Sequence, residues 1–181
     1  MSPIFLLVGA PAVGKSTTAH ALAAQFQKSI HIPVDDIRDM VVSGRLLPGP
    51  EWSAGLVEQV ALARASVTQM ARNYSMAGFA VVIDDFWDTN SKLQEYDSLA
   101  NLHKIMLLPS QQAAEERNIK RAGSGDGNPY IADGIRAVYE QLRNDFPNGE
   151  RSGWMVVNTT DKTVDATVAH ILTLTDKEKE K

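Results

Sequence analysis

Residues Gly9 to Ser16 read G-A-P-A-V-G-K-S, a complete G-x-x-x-x-G-K-[ST] phosphate loop between the apolar run Ile4-Phe5-Leu6-Leu7-Val8 and a helical pattern. Glycines let such a backbone close into an anion-sized hollow lined with N–H groups. The positive end of the following helix adds to the attraction. Gly9, Ala10, Pro11, Ala12, Val13, Gly14, Lys15, Ser16 and Thr17 are therefore the expected nucleotide contacts. Lys15 is placed to reach the β- and γ-phosphates of ATP, and Ser16 to ligate Mg2+. A glycine-rich turn that binds nothing is the alternative, and it leaves the flanking strand and helix unaccounted for.

What the loop holds a triphosphate for depends on its neighbours. No N-K-x-D or D-x-x-G tetrapeptide occurs anywhere in the chain, which removes the GTPases. Motor-type ATPases place a glutamate after the acid that ends the third strand, whereas Asp84-Asp85 stands there. Transfer of a phosphoryl group to a bound hydroxyl needs positioning, charge neutralisation and a base, and two further segments suit that chemistry. The first is Val34-Asp35-Asp36-Ile37-Arg38, at the carboxyl end of the second expected strand, where ligands of open parallel sheets bind. Asp35 suits a general base and Asp36 a cap for a helix beginning near Ile37, although either aspartate can cap. Arg38 suits a contact to the acceptor or a surface ion pair with Asp35 or Asp39. The second segment carries Arg117 and Arg121, four residues apart on one helix face, from which both can project toward phosphates or base. The breaker-rich stretch 123–129 beside them is what a lid closing at about 121–130 requires. A solvated basic face is the alternative.

These residues need a scaffold that brings strand ends together. After Ile4 to Val8, apolar or β-branched runs recur at Ile30 to Val34, Phe79 to Ile83, Lys104 to Leu108 and Trp154 to Thr159, with helical patterns between them. That alternation implies an α/β fold with a five-stranded parallel sheet between helix layers. Leu56, Val60, Ala63, Val67, Met70 and Tyr74 form one stripe at helical spacing, and Ile131, Ile135, Val138, Leu142 and Phe146 form another. Val164, Val168 and Ile171 begin a third. Runs apolar throughout, such as Ala80 to Ile83, suit strands buried on both faces. Leu47-Pro48-Gly49-Pro50 is a second breaker-rich loop and a candidate mobile element.

With 181 residues and 44% hydrophobic content, the chain suits one domain, expected over residues 1–175. Residues 176–181 read as a frayed tail of alternating charge. Zero cysteines exclude disulfides and thiolate metal sites and fit a reducing, cytoplasmic setting. The five-residue apolar start runs straight into the phosphate loop, so neither a signal peptide nor a membrane span is expected. A net charge of −4 argues against a domain built to neutralise nucleic-acid phosphates. His20, His31, His103 and His170 show no ligand spacing and are assigned no chemistry.

The order G-x-x-x-x-G-K-S-T, strand, D-D-x-R, long helix, V-V-I-D-D, strand-P, R-x-x-x-R, V-V-N-T-T resembles the small phosphate-loop (P-loop) kinases. The similarity runs from Pro3 to about Leu174. It is strongest to the chloramphenicol phosphotransferase-like enzymes and the kinase domain of polynucleotide kinases, with zeta-type toxins more distant. The resemblance implies a three-layer P-loop NTPase fold of the nucleoside and small-molecule kinase kind, with a short lid. It implies ATP and Mg2+, with Asp35 as base toward a hydroxyl of a small-molecule acceptor, Arg38 touching that acceptor, and Arg117 and Arg121 as lid arginines beside Lys15. Asp84 is implied to help place Mg2+ or to position the acceptor, with Asp85 the alternative for either part. By the same analogy Trp52, Asp85 and Phe86 join Asp35 and Arg38 on the acceptor side, with Trp87 and Asp88 nearby, while any of the aromatic rings can instead be core. Two other readings stay open: a polynucleotide 5′-hydroxyl kinase, and a toxin-like or regulatory ATP-binding protein with a macromolecular partner.

Overall fold

The computed structural model describes residues 1–47, 52–88, 91, 93–123, 127–149, 151 and 153–179, with side chains to 176. Five strands, β1 (Ile4–Val8), β2 (Ser29–Pro33), β3 (Ala80–Asp84), β4 (Leu102–Leu107) and β5 (Met155–Val157), form one parallel sheet in the order β2-β3-β1-β4-β5. Each strand expected from the sequence is present, its ends shifted by two residues at most. All residues of β1 and β3 are buried, as the apolar runs Ile4 to Val8 and Ala80 to Ile83 require of strands covered on both faces.

Among the described residues six α-helices flank the sheet, α1 (Lys15–Ala23), α2 (Val34–Asp39), α3 (Ala54–Met76), α4 (Gln111–Ala122), α5 (Pro129–Asp145) and α6 (Val164–Lys179), with a short 3-10 turn at Gln94–Tyr96. The crossover from β1 to β2 runs one way along the sheet and that from β2 to β3 runs back. Right-handed connections therefore put α1 and α3 on opposite faces. α6 packs against α1, so the two share a layer. Among the described residues no helix is long and apolar enough to cross a membrane. Local chemistry fixes the helix starts. Ser53 accepts from the N–H of Leu56, Ser110 from that of Ala113, and Asn128 from Tyr130 and Ile131, with Pro129 at the first position of α5.

Two expectations change. The buried face of α3 runs on through Ala71 and Ser75, with Met70 partly buried against the core as expected, whereas Tyr74 falls outside it. Ser75 donates its hydroxyl to the Ser2 carbonyl at 2.6 Å, which fixes the last turn, and Tyr74 is left exposed and edge-on to Phe79. The charged segment from Asp176 continues α6 through Lys179, in keeping with the helix propensity of Lys and Glu. Residues 180–181, and residues 48–51 and 124–126 of the two breaker-rich loops, lie outside the described residues.

Candidate active site

The phosphate loop leaves β1 through Gly9, whose backbone approaches β4 so closely that a Cβ there would lie 2.6 Å from the Leu107 carbonyl oxygen. Gly14, at φ 95°, turns the chain into α1, and Ala12 also holds a left-handed conformation at φ 60°. The hollow thus forms at the carboxyl end of the central strand, on the N-terminus of a helix. Lys15 donates Nζ to the Ala10 carbonyl at 3.0 Å. Burial pushes its ammonium below the usual value, against the opposing pull of Asp84 and then Asp35. Both carboxylates therefore lie within electrostatic reach of Lys15.

Asp84 ends β3 beside the loop. Its Oδ1 lies 3.5 Å from the Ser16 hydroxyl and its Oδ2 2.6 Å from His31 Nε2. His31, assigned no chemistry from its spacing, stands on β2 two residues before Pro33, the register partner of Asp84. Only strand pairing brings the two together. Ser16 and Asp84 offer hard oxygen donors of the type Mg2+ takes, one hydroxyl and one carboxylate. Among the described residues no cluster of three or more His, Cys, Asp or Glu side chains forms a protein-only metal cage. That donor set fits Mg2+, which is usually held by one or two protein oxygens plus phosphates and water.

Asp35 and Arg38 occupy the first and last turns of α2. Helix α2 starts at Val34 after Pro33 with no side-chain cap, so Asp36 does not cap a helix beginning near Ile37. Pro33 lacks an N–H and its extended backbone enters the helix directly. Asp35 is exposed and accepts from Arg38 Nη1 at 3.0 Å, while Arg38 itself is buried. Of the two ion pairs open to Arg38, the structure forms the one with Asp35, and Asp39 pairs with Arg45 instead.

Asp85 departs from its expected acceptor-side place. It is buried beneath Arg64 of α3, accepting from Arg64 Nε at 2.7 Å, Tyr96 Oη at 3.0 Å and its neighbour Phe86 N–H at 2.8 Å. Burial pushes the Asp85 carboxyl up, with Arg64 pulling the other way, and Tyr96 is also pushed up by burial beside that carboxylate. Burial pulls the Arg64 pKa down, but Asp85 overrides it and holds the guanidinium above its ordinary value. Arg64 also reaches Asp88 at 2.7 Å and Glu95 at 3.2 Å and covers one side of the Phe86 ring at 4.9 Å. A charged residue inside an apolar stripe was the signal that could have revealed this network. Trp52 and Phe86 do come together, half-buried and edge-to-face at 5.6 Å, whereas Trp87 is core, packed on Phe146 and Trp154.

The two candidate lid arginines separate. Arg117 is half-buried and donates to the carbonyls of Val13 at 3.2 Å, Thr159 at 2.6 Å and Thr160 at 3.2 Å, so it braces the phosphate loop against the turn after β5. Arg121, one turn on, is exposed near the Gly123 end of α4. At the base of the expected lid, buried Asn118 donates to the Asn128 carbonyl at 3.0 Å and joins α4 to the start of α5.

Similarity to known proteins agrees with this geometry. The chain is 26% identical to an adenylate kinase of Campylobacter concisus over 148 residues, 77% of this chain and 78% of that one. Among solved structures, a tunicamycin resistance protein of Deinococcus radiodurans superposes with a TM-score of 0.66 at 17% identity, covering 96% of this chain and 95% of that one. A gluconokinase of Sinorhizobium meliloti 1021 superposes with a TM-score of 0.65 at 17% identity, covering 97% and 94%. The family model described as an AAA domain matches residues 4–146. With kinase homologues around it and a phosphate loop at its centre, the chain belongs to this AAA domain family as a phosphate-loop kinase.

Proposed function

We propose that the protein moves the γ-phosphoryl group of MgATP to a hydroxyl of a small molecule bound between α2 and the Trp52–Phe86 pair. The observation that carries this reading is the exposed Asp35 carboxylate, oriented by Arg38 and near enough to Lys15 to bias its charge. Asp35 takes the proton of the acceptor hydroxyl as that oxygen bonds to the γ-phosphorus. The bond from phosphorus to the β,γ-bridging oxygen breaks, and ADP leaves with that electron pair. Lys15 and the phosphate-loop N–H groups hold the charge that builds on the phosphates. Ser16 and Asp84 would hold Mg2+, which would supply charge neutralisation at the phosphates. Arg121, exposed on the last turn of α4, is the arginine free to join the phosphates, whereas Arg117 acts through the loop it braces. On the acceptor side, Arg64 backs the Phe86 ring and Trp52 packs against it in a T-shaped pair, an arrangement that suits an acceptor with a planar or apolar body.

The test incubates the protein with MgATP and a panel of sugars, nucleosides, hydroxylated antibiotics and 5′-hydroxyl oligonucleotides, following phosphorylated product by mass. A small-molecule product is expected, with Asp35→Asn slowing kcat by about 10²–10⁴-fold. Transfer by Asp35→Asn at the parent rate refutes the base assignment, and transfer to oligonucleotides alone refutes the acceptor class.

A further inference from the structure

Asp84 divides its two oxygens between two partners on the α1 side of the sheet. Oδ1 faces Ser16 on the first turn of α1, and Oδ2 accepts from His31 on β2. A carboxylate offers no proton, so the imidazole carries its hydrogen on Nε2 and donates. Register explains the reach: Pro33 lies opposite Asp84, and His31, on the same face two residues earlier, is its diagonal neighbour. His20 of α1, four residues after Ser16, brings its ring edge-on to that of His31 at 6.4 Å. Packing thus limits the swing of His31, whose side chain is only 16% exposed, and Asp84 is 9% exposed.

We infer that His31 is a positioning residue for the metal carboxylate: its hydrogen bond fixes the plane of Asp84 so that Oδ1, not Oδ2, is presented with Ser16 to Mg2+. The inference rests on Ser16 and Asp84 being the Mg2+ donors. Without the bond, Asp84 turns about its side-chain torsions and meets the cation in the wrong geometry more often than not. Partners of this outer kind typically change metal affinity by about 10–100-fold.

Calorimetric binding of the non-hydrolysable analogue AMP-PNP, with EDTA and with saturating Mg2+, gives a ratio of affinities that reports the metal alone. Expected for His31→Phe is a ratio at least about tenfold below the parent's, with affinity in EDTA unchanged. His31→Gln, which returns an N–H donor, is expected to keep the ratio within about threefold. His31→Thr, a strand former too short to reach Asp84, replaces the phenylalanine variant if that does not fold. A ratio within twofold of the parent in the donor-less variant overturns the inference, as does a glutamine variant as impaired as phenylalanine. If Mg2+ fails to tighten binding even in the parent, the metal assignment of Ser16 and Asp84 falls, and this inference with it. None of these measurements needs an acceptor, so they stand apart from the phosphotransfer assay.

Discussion

Replacing Arg64 with methionine keeps most of the side-chain volume and removes a guanidinium that is fully buried. The Asp85 carboxylate, also fully buried, is then left with the neutral donors Tyr96 Oη and Phe86 N–H. Removing one partner of a buried pair costs about 3–5 kcal/mol. At about 2–4 °C per kcal/mol for a chain of this size, Tm should fall by about 6–20 °C. The sign with pH follows from Asp85. Its folded-state pKa lies above the ordinary value because of burial, so the folded form holds its proton more tightly than the unfolded chain does. Such a group favours folding at low pH, and that advantage is lost as pH rises through the folded-state value. Losing Arg64 raises that value further, so the deficit should be larger at pH 8 than at pH 5. Thermal melts by circular dichroism at both pH values measure it. Adding Asp85→Asn to Arg64→Met should recover much of the loss, because the uncompensated charge is what destabilises. A single variant melting within about 3 °C of the parent at pH 8, or a deficit that grows toward acid, would refute the account.

Two further outcomes follow from the phosphate loop. Gly9→Ala puts a methyl group 2.6 Å from the Leu107 carbonyl and should both lower Tm and abolish measurable AMP-PNP binding, while a variant that binds like the parent would show that β1 and β4 part easily. Lys15→Met should eliminate transfer yet melt at or above the parent temperature, because burial holds the Lys15 pKa down and its charged form therefore disfavours the folded state. A clear fall in Tm would mean that the attraction of Asp84 and Asp35 outweighs that burial.

The parts of the molecule legible in the sequence are those whose determinants are contiguous. Gly9 to Ser16 specifies its own backbone, and Ile4 to Val8 announces a strand covered on both faces, so the loop and the central strand were both found in place. Asp84 stands out in the sequence because it ends an apolar run. His31 was missed because its partner lies 53 residues away, reached only through the register of β2 on β3. Arg64 was missed because one charge in a helical pattern reads as solvent-facing, and its carboxylates follow 21 and 24 residues later, beyond a whole strand. Asp85 then read as a site residue by adjacency to Asp84, although consecutive residues at a strand end point in opposite directions. The different surroundings of Arg117 and Arg121 were illegible for a related reason: shared helical phase says nothing about which turn meets the phosphate loop.

Gly134 of α5 rests on Pro11, where a Cβ would come within 3.1 Å of the proline ring, and Arg117 of α4 holds the Val13 carbonyl. The phosphate loop is therefore moulded from behind by both arms of one helical hairpin. A chimaera that exchanges this hairpin for one from a relative inherits a different mould unless a glycine and an arginine arrive in the same two places. The smallest exchangeable cassette of this enzyme is accordingly the loop together with its hairpin, two segments separated in sequence by more than half the chain's length.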